Sequence, residues 1–146
     1  MKDTMTAVVV HRPGTTGSRT FLFLNGDDQR PAYTESLVIP GHENVGVIVE
    51  LDDATRRHWG VEIGDRVVPE QIVPDWTCRY CTSGNYHICK THNMFGFKRV
   101  TPGGMSEYMM PPVESIVHKT DRSIRPEWAV FAEPLSCSLH DLYPLR

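Results

Sequence analysis

Within one fifteen-residue stretch the chain places Asp75, Cys78, Cys81 and Cys89, separated by two, two and seven intervening residues. No other feature constrains the fold as strongly. Four side chains that can meet at one point dictate the path of a whole lobe. The two short steps build a knuckle, and the longer excursion, with Gly84 to turn on, brings the last thiolate back. A closed four-ligand set is the pattern of a structural zinc site. Three thiolates and a carboxylate suit a borderline-soft ion.

The competing reading is a disulfide plus a spare thiol. Met1-Lys-Asp-Thr is not followed by the apolar core of a signal peptide, which implies a cytoplasmic setting. Clustered cysteines kept reduced there favour metal over a disulfide. The fourth ligand stays open between two residues. Asp75 completes the regular two-residue step and offers an accepted carboxylate oxygen. His87 offers Cys-x2-Cys-x5-His-x-Cys instead. Asp75 is the favoured choice.

At 146 residues the chain fits one domain with a real core. Its 15 Lys and Arg against 18 Asp and Glu form no basic run, which argues against a nucleic-acid partner. The longest apolar stretches, Ala7–Val10 and Val45–Val49, are far too short to span a bilayer.

Eleven Pro and eleven Gly, with little helical periodicity, point to many turns and short strands. Thr6–His11, Val45–Leu51, Arg66–Val68, Ser106–Met110 and Ser115–Lys119 read as strands. Phe21–Leu24 is ambiguous, Asn25–Asp28 turns, and Asp52–Trp59 allows a helical turn. Pro126 suits a first helical position, predicting a helix to about Phe131. The expected fold is mainly β: a small barrel with a protruding zinc lobe and a short C-terminal helical segment.

Two further pieces carry metal-ligand chemistry. Pro40-Gly41-His42-Glu43 sets an imidazole beside a carboxylate at a strand entrance. Neighbours on a strand point to opposite faces, so both reach one ion only through a kink. Taken alone, the pair reads as solvated. In Ala132-Glu133-Pro134-Leu-Ser-Cys137-Ser-Leu-His140, the proline is expected to force Glu133 out of helical geometry. Taken alone, Glu133 reads as a cap or first-turn charge.

Together, Gly-His-Glu, Gly-Asp-Arg-Val, the four-ligand cysteine lobe and Glu-Pro-Leu-Ser resemble the zinc-dependent medium-chain alcohol and polyol dehydrogenases. The resemblance runs from about Asn25 to His140 and is nearest the erythritol/L-threitol dehydrogenase group. Arg30–Tyr33, Val49–Asp53, Glu70–Pro74, Gly96–Arg99 and Phe131–His140 carry it. It implies a GroES-like catalytic domain over residues 1–140, with Cys78, Cys81 and Cys89 on structural zinc. His42, Glu43 and Glu133 would serve a catalytic zinc. The implied reaction oxidises a secondary hydroxyl of a small polyol, with hydride passing to NAD. Zinc eases it by lowering the hydroxyl pKa. Homo-oligomers are possible in the full-length family.

Three departures qualify that implication. The family's catalytic zinc takes a cysteine ahead of Gly-His-Glu, and no cysteine precedes Gly41 here. The ligand-loop segment before residue 25 therefore reads as missing. Cys137 reads as a buried structural thiol rather than a replacement. No glycine-rich GxGxxG is present, so NAD enters only through a domain outside this chain. Residues 141–146 do not match the family, and Pro144 would stop the preceding helix. The expectation is a degraded second zinc site and little turnover by this chain alone.

Overall fold

A computed structural model of the protein describes residues 7–10, 35 and 38–142. The expectations for Pro13–Asp28, for Arg30–Tyr33 and for the last four residues lie outside that set. Five strands form one antiparallel sheet: β1 (Ala7–Val10), β2 (Gly46–Leu51), β3 (Arg66–Pro69), β6 (Tyr108–Met109) and β7 (Val117–Lys119). Among the described residues their order is β6-β1-β2-β3-β7, an open sheet with β6 and β7 at its edges. Two further strands, β4 (Ile72–Val73) and β5 (Asn93–Met94), pair with each other and bracket the cysteine loop.

The register explains which residues of β2 go inward. Val8 faces Glu50 while Val9 faces Ile48, so Val49 is an extra residue in a bulge. The bulge resets the alternation, which buries both Ile48 and Leu51 while Val47 and Val49 stay exposed. Ile48 and Leu51 pack with Val61 and Val67, flanked by Trp59 and Val117. Each such aliphatic side chain stabilises the fold by about 1.5–3 kcal/mol on burial. A second cluster joins Val73, Phe95 and Met109.

The helix α1 (Asp53–Trp59) follows local rules. Asp52 accepts the N–H groups of Ala54 and Thr55 at 2.9 and 2.8 Å, and Gly60 ends the helix at φ 66°. Trp59 then donates its indole N–H to the Val113 carbonyl at 3.0 Å, tying the helix to the segment before β7.

At the C-terminal end the structure corrects the expectation. Pro126 does open a helix, α3, but it stops at Ala129, and α4 runs from Ala132 to Leu142. Pro134 does not expel Glu133 from the helix. It sits in the first turn of α4, where no backbone N–H is required, so helix and proline coexist. The helical segment is correspondingly longer than expected. Among the described residues, no helix is long and apolar enough to cross a membrane.

Candidate metal centres

The cysteine lobe leaves β4 at Val73 and turns at once. Asp75 Oδ1 accepts the N–H groups of Thr77 and Cys78 at 2.9 and 2.8 Å, while Trp76 takes a left-handed φ of 54°. A single short turn thus aims the Asp75 carboxylate back toward Cys78. The Trp76 indole donates to the Glu114 carbonyl at 2.9 Å and pins the turn to the body of the domain. Cys78 caps α2 (Arg79–Thr82), which carries Cys81 inward. Gly84, at φ 83°, starts the return, and a 3₁₀ turn over Tyr86–Ile88 delivers Cys89.

Asp75, Cys78, Cys81 and Cys89 each offer a ligand atom within 4.8 Å of all the others. The sulfur of Cys78 lies 3.6 Å from that of Cys81 and 4.0 Å from that of Cys89. A disulfide requires about 2.05 Å. A tetrahedron with Zn–S bonds of about 2.3 Å has edges of about 3.8 Å. The observed separations match the second figure, and all three thiols are free.

The electrostatics fit the same ion. The N–H groups of Cys78 and Thr77 hold the Asp75 carboxyl well below the usual carboxylate range. Backbone donors from Lys90 and Cys81 lower Cys78. Burial pushes the Cys81 thiol up to about 12. Three sulfurs and a carboxylate brought this close without a cation repel one another as they ionise, and a coordinated ion removes that conflict. His87 is placed elsewhere: its ring faces His140 on α4, with centroids 5.1 Å apart.

The second group brings residues from distant parts of the chain together. Ligand atoms of His42, Glu43 and Glu133 all lie within 4.8 Å of one another. Here the strand expectation is corrected. His42 and Glu43 precede β2 in a loop entered through Gly41 at φ 103°, so their side chains need not point to opposite faces. That loop is clamped. Gly103 donates to the Ile39 carbonyl at 2.7 Å, Gly104 to Gly41 at 3.0 Å and Met105 to Pro40 at 3.0 Å. A Cβ on Gly103 would sit 2.3 Å from the Pro40 and Gly41 oxygens, so only glycine permits this approach.

Phe97 supports the His42 ring at 5.5 Å. Glu133 is 8% exposed and Glu43 is exposed. One imidazole and two carboxylates are a ligand set that zinc accepts.

Cys137 is not the buried thiol expected. It is exposed one turn beyond Glu133, and its thiol reaches Glu133 Oε1 at 3.4 Å. Partial desolvation and the Glu133 carboxylate raise its pKa. Both residues border a cavity of about 730 Å³ between α4, the cysteine lobe and strands β3 and β7. Sequence reading missed Phe97, Trp76 and the Gly103 approach. The Gly103-Gly104 pair was the available signal, since adjacent glycines mark close backbone contact as well as turns.

Comparison with known proteins identifies the family. Residues 3–121 match the family model for the alcohol dehydrogenase GroES-like domain. The erythritol/L-threitol dehydrogenase of Mycolicibacterium smegmatis is 57% identical over 79% of this chain and 32% of its own length. The L-threonine 3-dehydrogenase of Pyrococcus horikoshii is 37% identical over 66% of this chain and 26% of its own length. The chain thus spans about a third or less of the curated relatives it matches.

Among solved structures, a zinc-binding dehydrogenase of Sinorhizobium meliloti bound to NADP aligns with a TM-score of 0.65. It is 28% identical and is matched over 75% of this chain and 30% of its own. The alcohol dehydrogenase of Thermus sp. ATN1 aligns over 100% of this chain and 43% of its own. Its TM-score is 0.67 at 24% identity, a likeness of fold. On the strength of a match covering most of its length, this chain belongs to the alcohol dehydrogenase GroES-like domain family.

Proposed function

We propose that the chain is the catalytic-domain portion, over residues 1–140, of a cytoplasmic zinc-dependent polyol dehydrogenase. Its strands would close into a GroES-like barrel from which the cysteine lobe protrudes. In the intact protein the reaction is oxidation of a secondary hydroxyl of an erythritol- or threitol-like substrate, with NAD as hydride acceptor. The observation that carries this reading is the meeting of His42, Glu43 and Glu133 at one point. The 57% identity to an erythritol/L-threitol dehydrogenase supports the choice of substrate class.

In this reading His42 and Glu133 would hold a zinc ion, and Glu43, exposed to water, would be an intermittent ligand. Zinc there supplies Lewis-acid polarisation of the substrate hydroxyl. Glu133 holds its carboxylate fixed by burial and by the first turn of α4, whose N-terminal dipole favours a negative charge. The Gly103 clamp keeps His42 and Glu43 in register with it. The nicotinamide cofactor needs binding residues beyond these, because no GxGxxG lies among them. With no thiolate ligand ahead of Gly41, this second ion is held weakly and the chain by itself turns over little.

A mild chelator followed by a zinc count tests this. One ion per chain is expected to resist, and a second, labile ion is expected to disappear in Glu133→Gln. Oxidation of erythritol or threitol by the chain alone would overturn the inactive reading. A labile ion indifferent to Glu133 and His42 would overturn the site.

A second reading, a non-catalytic zinc module that pairs with a full-length relative, is favoured by one observation. Trp128, Phe131, Leu135 and Leu139 leave an apolar stripe along α3, the turn after it and α4 that is 47–65% exposed. Co-purification with such a relative, without gain of polyol oxidation, would select it.

A further inference from the structure

We infer that His87 and His140 form a third divalent-metal site, one that ties the cysteine lobe to α4. His87 is left over from the lobe: it is not among the four grouped ligands, and its ring packs against His140, with centroids 5.1 Å apart and planes at 58°. Two imidazoles sharing one tetrahedral ion, with metal–nitrogen bonds of about 2.1 Å, hold their ring centroids about 5 Å apart. The two rings come from different elements, the 3₁₀ turn of the lobe and the last turns of α4, so local chain geometry does not impose their meeting.

Neither ring makes a hydrogen bond to a described residue. Both border the 730 Å³ cavity, which leaves room beside them for an ion and its waters. Its wall also carries Asp141, whose carboxylate offsets the charge of a divalent ion, and open volume for water to fill the remaining positions. Neutral imidazole selects zinc, nickel or copper over magnesium and calcium.

The consequence is mechanical. Glu133 and His140 lie on the same helix, so an ion at His87 and His140 fixes the element that presents Glu133. The bridge therefore links the cysteine lobe to the His42, Glu43 and Glu133 group. It shares no ligand with either.

The test uses the full 146-residue chain. It carries its lobe zinc and is freed of labile metal. Zinc(II) is titrated by calorimetry, with the imidazole Cε1–H signals followed by NMR. The parent is expected to take up labile zinc in two separate events, and the expected result is that one of them is lost in both His87→Gln and His140→Gln but retained in His42→Gln, with lobe zinc unchanged in all three. The His87 and His140 signals should shift together at one equivalent, and magnesium should shift neither. Zinc uptake by His87→Gln or by His140→Gln equal to that of the parent would overturn the site. So would titration in which only the His42 signal moves, which locates the ion at the other group and leaves the function proposed above intact. Loss of binding in all three variants together with loss of lobe zinc would also count against it, since the lobe alone then governs metal uptake.

Discussion

The lobe is decided residue by residue, and Cys81 is the most demanding of them. Its thiol is buried with Ile72 and Cys89, and burial, with the neighbouring Cys89 and Cys78 sulfurs and the Asp75 carboxylate, drives its pKa to about 12. Without an ion it is a small apolar group. With one it is a thiolate. Cys81→Ser is expected to empty the lobe, from about one tightly held zinc to none. The sheet should survive, because the Ile48, Leu51, Val61 and Val67 cluster shares no residue with the lobe. Metal analysis and far-UV circular dichroism on the same sample check both halves. The fourth ligand is separable too. Asp75→Ala should weaken retention of zinc against a chelator, and His87→Ala should leave it unchanged. The opposite pattern would transfer the ligand role to His87.

At the scale of elements, the legible parts were those with local signals. The β2 strand announced itself through its run of valine and isoleucine, and α1 falls within the Asp52–Trp59 stretch that allowed a helical turn. Two things were not legible. Pro134 reads as a helix breaker unless the helix is known to begin at Ala132, so α4 and the setting of Glu133 were misjudged. The clamp of Gly103 and Gly104 on Pro40 and Gly41 is long-range, and periodicity carries no trace of it. The candidate ligands were nameable from residue type and resemblance. Their meeting depends on the loop conformation at Gly41, which spacing does not encode.

Strand edges have their own electrostatics, and one pair yields a pH prediction. Asp65, just before β3, is 5% exposed and accepts Lys119 Nζ of β7 at 2.8 Å and the Glu62 N–H at 2.9 Å. The Lys119 ammonium, then the Glu62 N–H, hold its carboxyl below the ordinary aspartate range. A folded-state pKa below the unfolded one gives stability that is complete above the unfolded value. It is lost as pH falls through the folded one. Acid should therefore weaken the β3–β7 edge below about pH 4. Asp65→Asn is expected to cost about 1 kcal/mol at pH 7, a modest figure because Lys119 faces solvent, and to cost progressively less below pH 4. Urea melts of parent and variant at pH 7 and pH 3, with lobe zinc counted at each, separate this from metal loss. A difference between the two proteins that is the same at both pH values would exclude the Asp65 linkage.

For the whole molecule the question is what this chain does with a nicotinamide cofactor. Dinucleotide sites hold the pyrophosphate on a glycine-rich turn that opens a helix after a parallel strand. All described strand pairs here are antiparallel. None of the eleven glycines falls into GxGxxG. The helix starts do not supply the missing turn. The start of α1 is occupied by the Asp52 carboxylate, whose negative charge opposes a phosphate. The first turn of α4 carries Glu133, and its carboxylate does the same. Calorimetric titration of the 146-residue chain with NAD is therefore expected to give no binding tighter than about a millimolar, with or without zinc in the second group. The same titration in the presence of erythritol should stay flat, because the polyol alone offers nothing to hold a pyrophosphate. Micromolar NAD affinity would mean that a phosphate cradle exists outside the described strands and helices. It would also remove the reason for expecting the chain to be inactive on polyols by itself.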